Sequence, residues 1–275
     1  MDDKKRMAVQ GIAALIQNAN LKGFFTGKIY GGAAKNVCVP GLNCYSCPGA
    51  AGACPIGSLQ NAVSGYKFRF PYYVLGLLIF FGALLGRLVC GLVCPFGFLQ
   101  DLLHKIPFPV KVKTFRGDRT LRKLKYVVFL FLVVILPVTF KLTPVFCKYV
   151  CPSGTLAGIL LSFTNTELFA VLGKLFTWKL SLLLILVASS VVVYRPFCKY
   201  LCPLGAFYAP FNKISVVQLN VDRDKCTHCR ACQKVCGMCV DPAENPADTE
   251  CIRCGKCVSH CPAGALKLSV KNGAK

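Results

Sequence analysis

The chain has 275 residues, 19 of them cysteine, with a formal net charge of +22 and a hydrophobic fraction of 55%. Cysteine this dense beside long apolar runs excludes a small secreted disulfide scaffold, which has no such runs. The charge excess fits basic loops that orient a membrane chain, and the formal count ignores metal-bound thiolates, so nucleic acid is excluded as a partner.

In chain order, the basic N-terminus MDDKKRMAVQ is followed by the short apolar stretch Gly11–Ile16 without a small-residue cleavage site. This predicts an uncleaved integral membrane protein. Residues 38–55, CVPGLNCYSCPGAAGACP, form a loop rich in glycine and proline that carries Cys38, Cys44, Cys47 and Cys54. Four thiols there suggest a metal cluster; a redox-active Cys44–Cys47 pair is the alternative. Phe70–Gly86 then runs 17 residues without a charge, and Tyr126–Phe140 and Leu180–Tyr194 run 15 each. A bilayer crossing takes about 20 residues. The flanking Lys125, Lys141, Lys179 and Arg195 extend the latter two, because long basic side chains snorkel to the membrane edge.

Three of the apolar segments end in one motif: CGLVCP at 90–95, CKYVCP at 147–152 and CKYLCP at 198–203. Each supplies two thiolates at a helix end, and the proline stops that helix or begins the next. Two such ends brought together give four ligands. Gly154–Gly173 is apolar but carries Asn165, Thr166 and Glu167, which predicts a re-entrant or partial helix buried against the bundle.

Residues 226–236, CTHCRACQKVC, and 251–262, CIRCGKCVSHCP, share the spacing C-x2-C-x2-C-x3-C of bacterial two-cluster ferredoxins. Three thiolates on a tight loop reach one cubane and the fourth crosses to the other. Cys226, Cys229, Cys232 and Cys261 are thus expected to hold one [4Fe–4S] cluster, and Cys236, Cys251, Cys254 and Cys257 a second. Gly237 stands where proline follows the last cysteine of the pattern, and Cys239 is a surplus thiol.

The basic stretch from Asp101 to Lys125 marks an inner loop. Phe70–Val89 then runs inward, Tyr126–Phe140 outward and Phe176–Tyr194 inward, with the weak segment Met7–Tyr30 entering or crossing the membrane. This gathers Cys90, Cys94, Cys198 and Cys202 at the inner face for a third cluster. It gathers Cys38, Cys44, Cys47, Cys54, Cys147 and Cys151 toward the outer half, where four of the six would hold a fourth. The apolar core is about 30 Å thick, too far for one electron hop, so a cluster at each face is expected. The expected fold is mainly α: a membrane bundle of about four transmembrane helices plus the partial helix over residues 1–212, and a cytoplasmic α+β two-cluster ferredoxin domain over 213–275.

The stretches CGLVCPFGFLQDLLHKIP and RPFCKYLCPLGAFY, with the terminal two-cluster pattern, resemble membrane polyferredoxins of the NapH and NosR type. CVPGLNCYSCPGAAGACPIGSLQ is similar to the N-terminal part of 4Fe–4S binding members of that group. The resemblance covers nearly the whole chain. It implies an electron carrier in the cell membrane, working between a cytoplasmic ferredoxin or quinol and an outer-face redox protein, flavin- or haem-containing. The outer flavin domain of NosR-type members has no counterpart in this length.

The competing reading is an enzyme, a quinol oxidase or a thiol or metal-ion reductase using the outer cysteines. Asp101 and His104 are the candidates for a quinone site at the membrane edge, with a solvated interfacial face as the structural alternative. Haem would need paired histidines on facing spans, and His104, His228 and His260 lie in none. His228 and His260 sit within the cluster motifs and are expected to tune rather than bind. Asn165 and Glu167 are the only pointers to ion transport, and a structural polar pair accounts for them. Oxygen-sensitive clusters predict an anaerobic or low-oxygen setting.

Overall fold

The computed structural model describes residues 3–64, 70–140, 144–164 and 173–270. The chain is mainly helical. Helix α1 spans Asp3–Gln17 and α2 Leu21–Thr26. The cysteine loop follows and leads into α3, Pro55–Ser64, and α4, Tyr72–Leu85. A π-helical turn, Val89–Val93, precedes α5, Pro95–His104. Helix α6, Leu124–Val128, continues without interruption through a second π-helical segment, Phe129–Ile135, into α7, Leu136–Phe140. Next come α8, Val145–Tyr149, α9, Pro152–Thr164, α10, Lys174–Val192, α11, Pro196–Tyr200, and α12, Pro203–Tyr208. Two antiparallel strands, β1 Val217–Val221 and β2 Leu266–Val270, enclose the short helices α13, Ala231–Val235, and α14, Lys256–Ser259.

The cysteine-proline repeats act as helix starts. Proline opens α5, α9 and α12, where its missing N–H is no loss and its fixed φ suits the first turn. Cys94 and Cys202 are the N-cap residues, in extended backbone with φ −71° in each case. The Cys202 Sγ accepts the backbone N–H of Gly205, so the repeat fixes a thiol against the first helical turn.

Helix α10 has 19 residues, is long and apolar enough to cross a bilayer, and has 11% of its apolar window buried. At 1.5 Å per residue it is about 28 Å long. Helix α4 and Pro152–Phe163 are shorter apolar helices. The expected span Tyr126–Phe140 is helical throughout, with α6 to α7 forming one rod. Its π-helical middle leaves the Leu132 carbonyl to accept from the buried Gln60 Nε2. Helix α9 covers the first part of the expected partial helix; Lys141, Asn165, Thr166 and Glu167 lie outside the described residues.

One core joins the bundle to the C-terminal region. Ile252, from the second ferredoxin motif, is 1% exposed and belongs to the same packed cluster as Leu78, Val89, Phe197 and Tyr208. Its neighbour Arg253 is buried and donates to Ser215 Oγ (2.5 Å), to the Asn212 carbonyl (2.5 Å) and to the Leu85 carbonyl at the end of α4 (3.3 Å). The loop of the second motif is therefore the plug that docks the C-terminal region. A smaller core, Leu219, Cys232, Cys257 and Leu266, holds that region together beneath its two strands.

Candidate metal centres

Cys226, Cys229, Cys232 and Cys261 line one cavity of about 120 Å³. Cys236, Cys251, Cys254 and Cys257 line a second of about 20 Å³. These are the two groupings that the duplicated spacing leads one to expect. Their settings differ. Cys229 is exposed, and the backbone N–H of Ala231 holds its thiol below the usual range. Cys251 is buried, and burial pushes its thiol up to about 12. At neutral pH that thiol keeps its proton until a metal takes the proton's place.

Cys90, Cys94, Cys198 and Cys202 are each 5–6% exposed and share one packed core. The Cys198 Sγ accepts from Gln100 Nε2 at 3.1 Å, and the Cys94 Sγ from the backbone N–H of Leu42 at 3.4 Å. Arg195 donates to the Cys90 carbonyl at 2.5 Å and Arg87 to the Cys198 carbonyl at 3.4 Å.

Of the six cysteines expected toward the outer half, Cys44, Cys54, Cys147 and Cys151 line one cavity of about 790 Å³. Cys38 and Cys47 do not line it. The Cys38 Sγ bonds Ser58 Oγ at 3.4 Å, and Cys47 lines a separate cavity with Asn18 and Phe24. Cys239 donates to the Lys113 carbonyl at 3.1 Å. Among the described residues, no three histidines, cysteines or carboxylates sit close enough to hold a single ion. Thiols spread around a cavity suit a polynuclear core.

The sets adjoin one another. A Cβ on Gly91, between Cys90 and Cys94, would meet the Ile252 carbonyl oxygen at 2.3 Å and the Cys254 Cα at 3.6 Å. The ligand loop of the bundle thus lies directly on the ligand loop of the second ferredoxin motif. On the other side, the cysteine loop is no surface loop. Leu42 is 2% exposed, and Tyr208 donates to the Pro40 carbonyl at 3.2 Å. Leu42 both bonds Cys94 and lines the large cavity, and Cys44 is two residues further on, at most about 7 Å of chain. Cys44 is thereby joined to the Cys94 set through Leu42, because this part of the loop enters the core.

Of the two residues singled out for a quinone site, Asp101 is bound in a buried ion cluster. Asp101 is 3% exposed and bonds Arg195 (2.5 Å), Arg6 (2.6 Å) and Gln10 (3.1 Å). Burial opposes its charge, but Arg195 and Arg6 outweigh burial and hold the carboxyl well below the usual range. It is therefore neither a solvated face nor free to meet a quinone. His104 pairs its Nδ1 with the Ser190 carbonyl at 3.3 Å and sets its ring edge-on to Tyr194. His228 lines the exposed ferredoxin cavity, and His260 pairs with the Lys256 carbonyl at 3.0 Å. Gly237 breaks the ferredoxin pattern for a steric reason: a Cβ there would meet the Tyr194 ring at 2.5 Å.

Sequence reasoning missed a second buried ion cluster. Glu250, beside Cys251, takes Lys125 at 2.5 Å and Arg87 at 3.0 Å. Burial raises its carboxyl, but Arg87 and Lys125 prevail and lower it. The only signal would have been isolated charges next to cysteine motifs.

Thiol sets of this kind are the donor chemistry of an iron–sulfur protein. A 4Fe-4S binding domain family matches residues 70–114, 124–166 and 175–221, and a second 4Fe-4S binding domain matches 248–267. The chain is 33% identical over 190 residues to the uncharacterized protein MJ0750 of Methanocaldococcus jannaschii, covering 68% of this chain and 73% of that protein. It is 24% identical over 216 residues to the ferredoxin-type protein NapH of Haemophilus influenzae, covering 71% and 66%. It is 31% identical over 182 residues to the methylamine utilization ferredoxin-type protein MauN of Paracoccus denitrificans, covering 65% and 58%. No solved structure matches. The chain belongs to the NapH-type family of ferredoxin-type 4Fe–4S proteins, and it is an electron transport protein by class.

Proposed function

We propose that the chain passes electrons through the membrane along four thiol-held sites, between a cytoplasmic ferredoxin or quinol and an acceptor on the outer side. The observation that carries this is the contiguity of the thiol sets, from the exposed ferredoxin cavity through the Gly91–Ile252 contact and Leu42 to the large cavity at Cys44, Cys54, Cys147 and Cys151. Bound in these sites, [4Fe–4S] clusters supply one-electron chemistry. The chain's own residues do the rest. Gly91 lets two ligand loops touch. Gln100, Leu42 and Gly205 donate to thiolate sulfurs. Asp101 with its arginines, and Glu250 with Arg87 and Lys125, hold the ends of segments distant in sequence and keep water out.

The bilayer reading is supported by the exposed apolar sides of α4 and α10, with Phe80 62%, Leu184 60% and Ile185 66% exposed. Apolar surface on this scale suits lipid. Tyr72, Tyr73 and Trp178 lie exposed near the starts of those helices, as interfacial aromatics do.

Iron counting on anaerobically purified protein tests the proposal. The expected result is about sixteen iron per chain, from four sites of four. Replacing Cys147 or Cys151 by serine should lose about four iron and one EPR signal, and an unchanged spectrum would refute the outer site. The reductase reading draws on the size of the outer cavity. It requires fewer iron per chain, with Cys44, Cys54, Cys147 and Cys151 titrating as free thiols.

A further inference from the structure

The end of the molecule around Cys44, Cys54, Cys147 and Cys151 has a charge pattern that electron transfer within the chain does not use. Lys35 and Lys179 line the cavity itself. Lys35 donates to the Ala50 carbonyl and lies over the Tyr45 ring at 4.7 Å; Lys179 donates to the Cys147 carbonyl at 3.3 Å. Among the described residues, neither forms a salt bridge with a carboxylate. Around them Lys22 on α2, Lys28 just beyond it, Lys148 on α8 and Lys174 at the start of α10 are all exposed. Helix α2 packs on α9, and α10 packs on α8 and α9, so these lysines belong to one end of the bundle. Among the described residues from 18 to 64, 144 to 164 and 173 to 192 there is no aspartate or glutamate.

Two of the six lysines line the thiol cavity. The outer four are exposed, and among the described residues no salt bridge neutralises them. Such a patch, rimmed here by Tyr45 at 53% exposure and Phe25 at 87%, is the complement of an acidic surface. The site it surrounds has a wide cavity, about 790 Å³ against 120 and 20 Å³ at the two ferredoxin sites, so a redox group need not penetrate the bundle to approach the thiols.

Resting on the electron-transfer reading above, we infer that this lysine face docks an acidic one-electron carrier protein. One electron crosses from the Cys44, Cys54, Cys147 and Cys151 site to the docked carrier, and no bond is made or broken. Redox encounters of this sort use small, weak interfaces, and opposite charge speeds their formation by about 10- to 1,000-fold at low salt.

The test uses the whole chain, anaerobically purified with its clusters, in nanodiscs of neutral phosphatidylcholine. It is reduced, freed of reductant and mixed in stopped flow with an acidic flavodoxin or a basic cytochrome c. The rate with flavodoxin should fall about tenfold or more when salt rises from about 20 to 500 mM, as screening predicts. The triple variant Lys22→Glu, Lys148→Glu, Lys174→Glu should lose a similar factor at low salt, gain rate with cytochrome c and keep its iron and EPR signals. Wild-type rates indifferent to salt overturn the docking inference even if the variant does not fold. So does a variant that changes only adhesion to phosphatidylglycerol vesicles, which would give the lysines to lipid headgroups. If Cys147→Ser leaves iron and EPR untouched, the electron-transfer reading itself falls.

Discussion

Gly91 and Gly237 are small because another part of the chain occupies the space of their side chains. At Gly91 that neighbour is a backbone carbonyl, which cannot swing aside. Gly91→Ala is expected to destabilise the docked region by about 1–3 kcal/mol, the usual cost of overpacking. It should also weaken magnetic coupling between the reduced centres on either side, with iron content retained; unaltered coupling by pulsed EPR would contradict this. Asp101→Asn leaves two buried guanidinium groups short of their anion, and breaking a buried pair costs about 3–5 kcal/mol. A clear fall in the thermal unfolding midpoint in detergent is the expected readout. The role of Asp101 was illegible in the sequence because Arg6 and Arg195 lie 95 and 94 positions away. The oddity of Gly237 was legible, but its cause, the ring of Tyr194, was not.

At the scale of elements, the cysteine-proline repeats read directly from the sequence. Of the proline's two expected roles the structure shows the helix start, with Cys94 and Cys202 on the N-cap. The ferredoxin thiols grouped as their spacing demands, since ligands on one short loop have little choice of partner. The loop at 38–54 was harder. Glycine and proline mark it as irregular, yet irregular backbone can be buried when side chains satisfy it, as Lys35 and Asn20 do here. Its division of thiols gives a prediction. Cys38→Ser and Cys47→Ser should keep full iron, whereas Cys44→Ser and Cys54→Ser should each lose about four iron per chain, measured by anaerobic metal analysis. The π-helical break in α6–α7 left no pattern in a run of uniformly apolar residues.

Across the whole molecule, the two ferredoxin sites are unequal. Thr227 and His228 of the first motif sit by an exposed cavity, whereas Ile252 and Arg253 of the second are buried in the bundle. On the proposed electron-transfer reading, the Cys226 set would meet a donor and the Cys251 set would relay into the bundle. An apolar residue beside an arginine in one motif, against two polar residues in the other, was a signal present in the sequence. The approach of the Cys44 set to the Cys94 set was not, since it depends on Leu42 entering the core.

The central claim is that thiols from separate helices grip iron in one connected series. Cryo-electron microscopy of the anaerobically purified chain, or an anomalous iron map from its crystals, tests it most directly. The account predicts four compact iron densities, one bounded by Cys90, Cys94, Cys198 and Cys202 and lying between those at Cys251 and Cys44. Thiols at 90, 94, 198 and 202 without iron among them would contradict it.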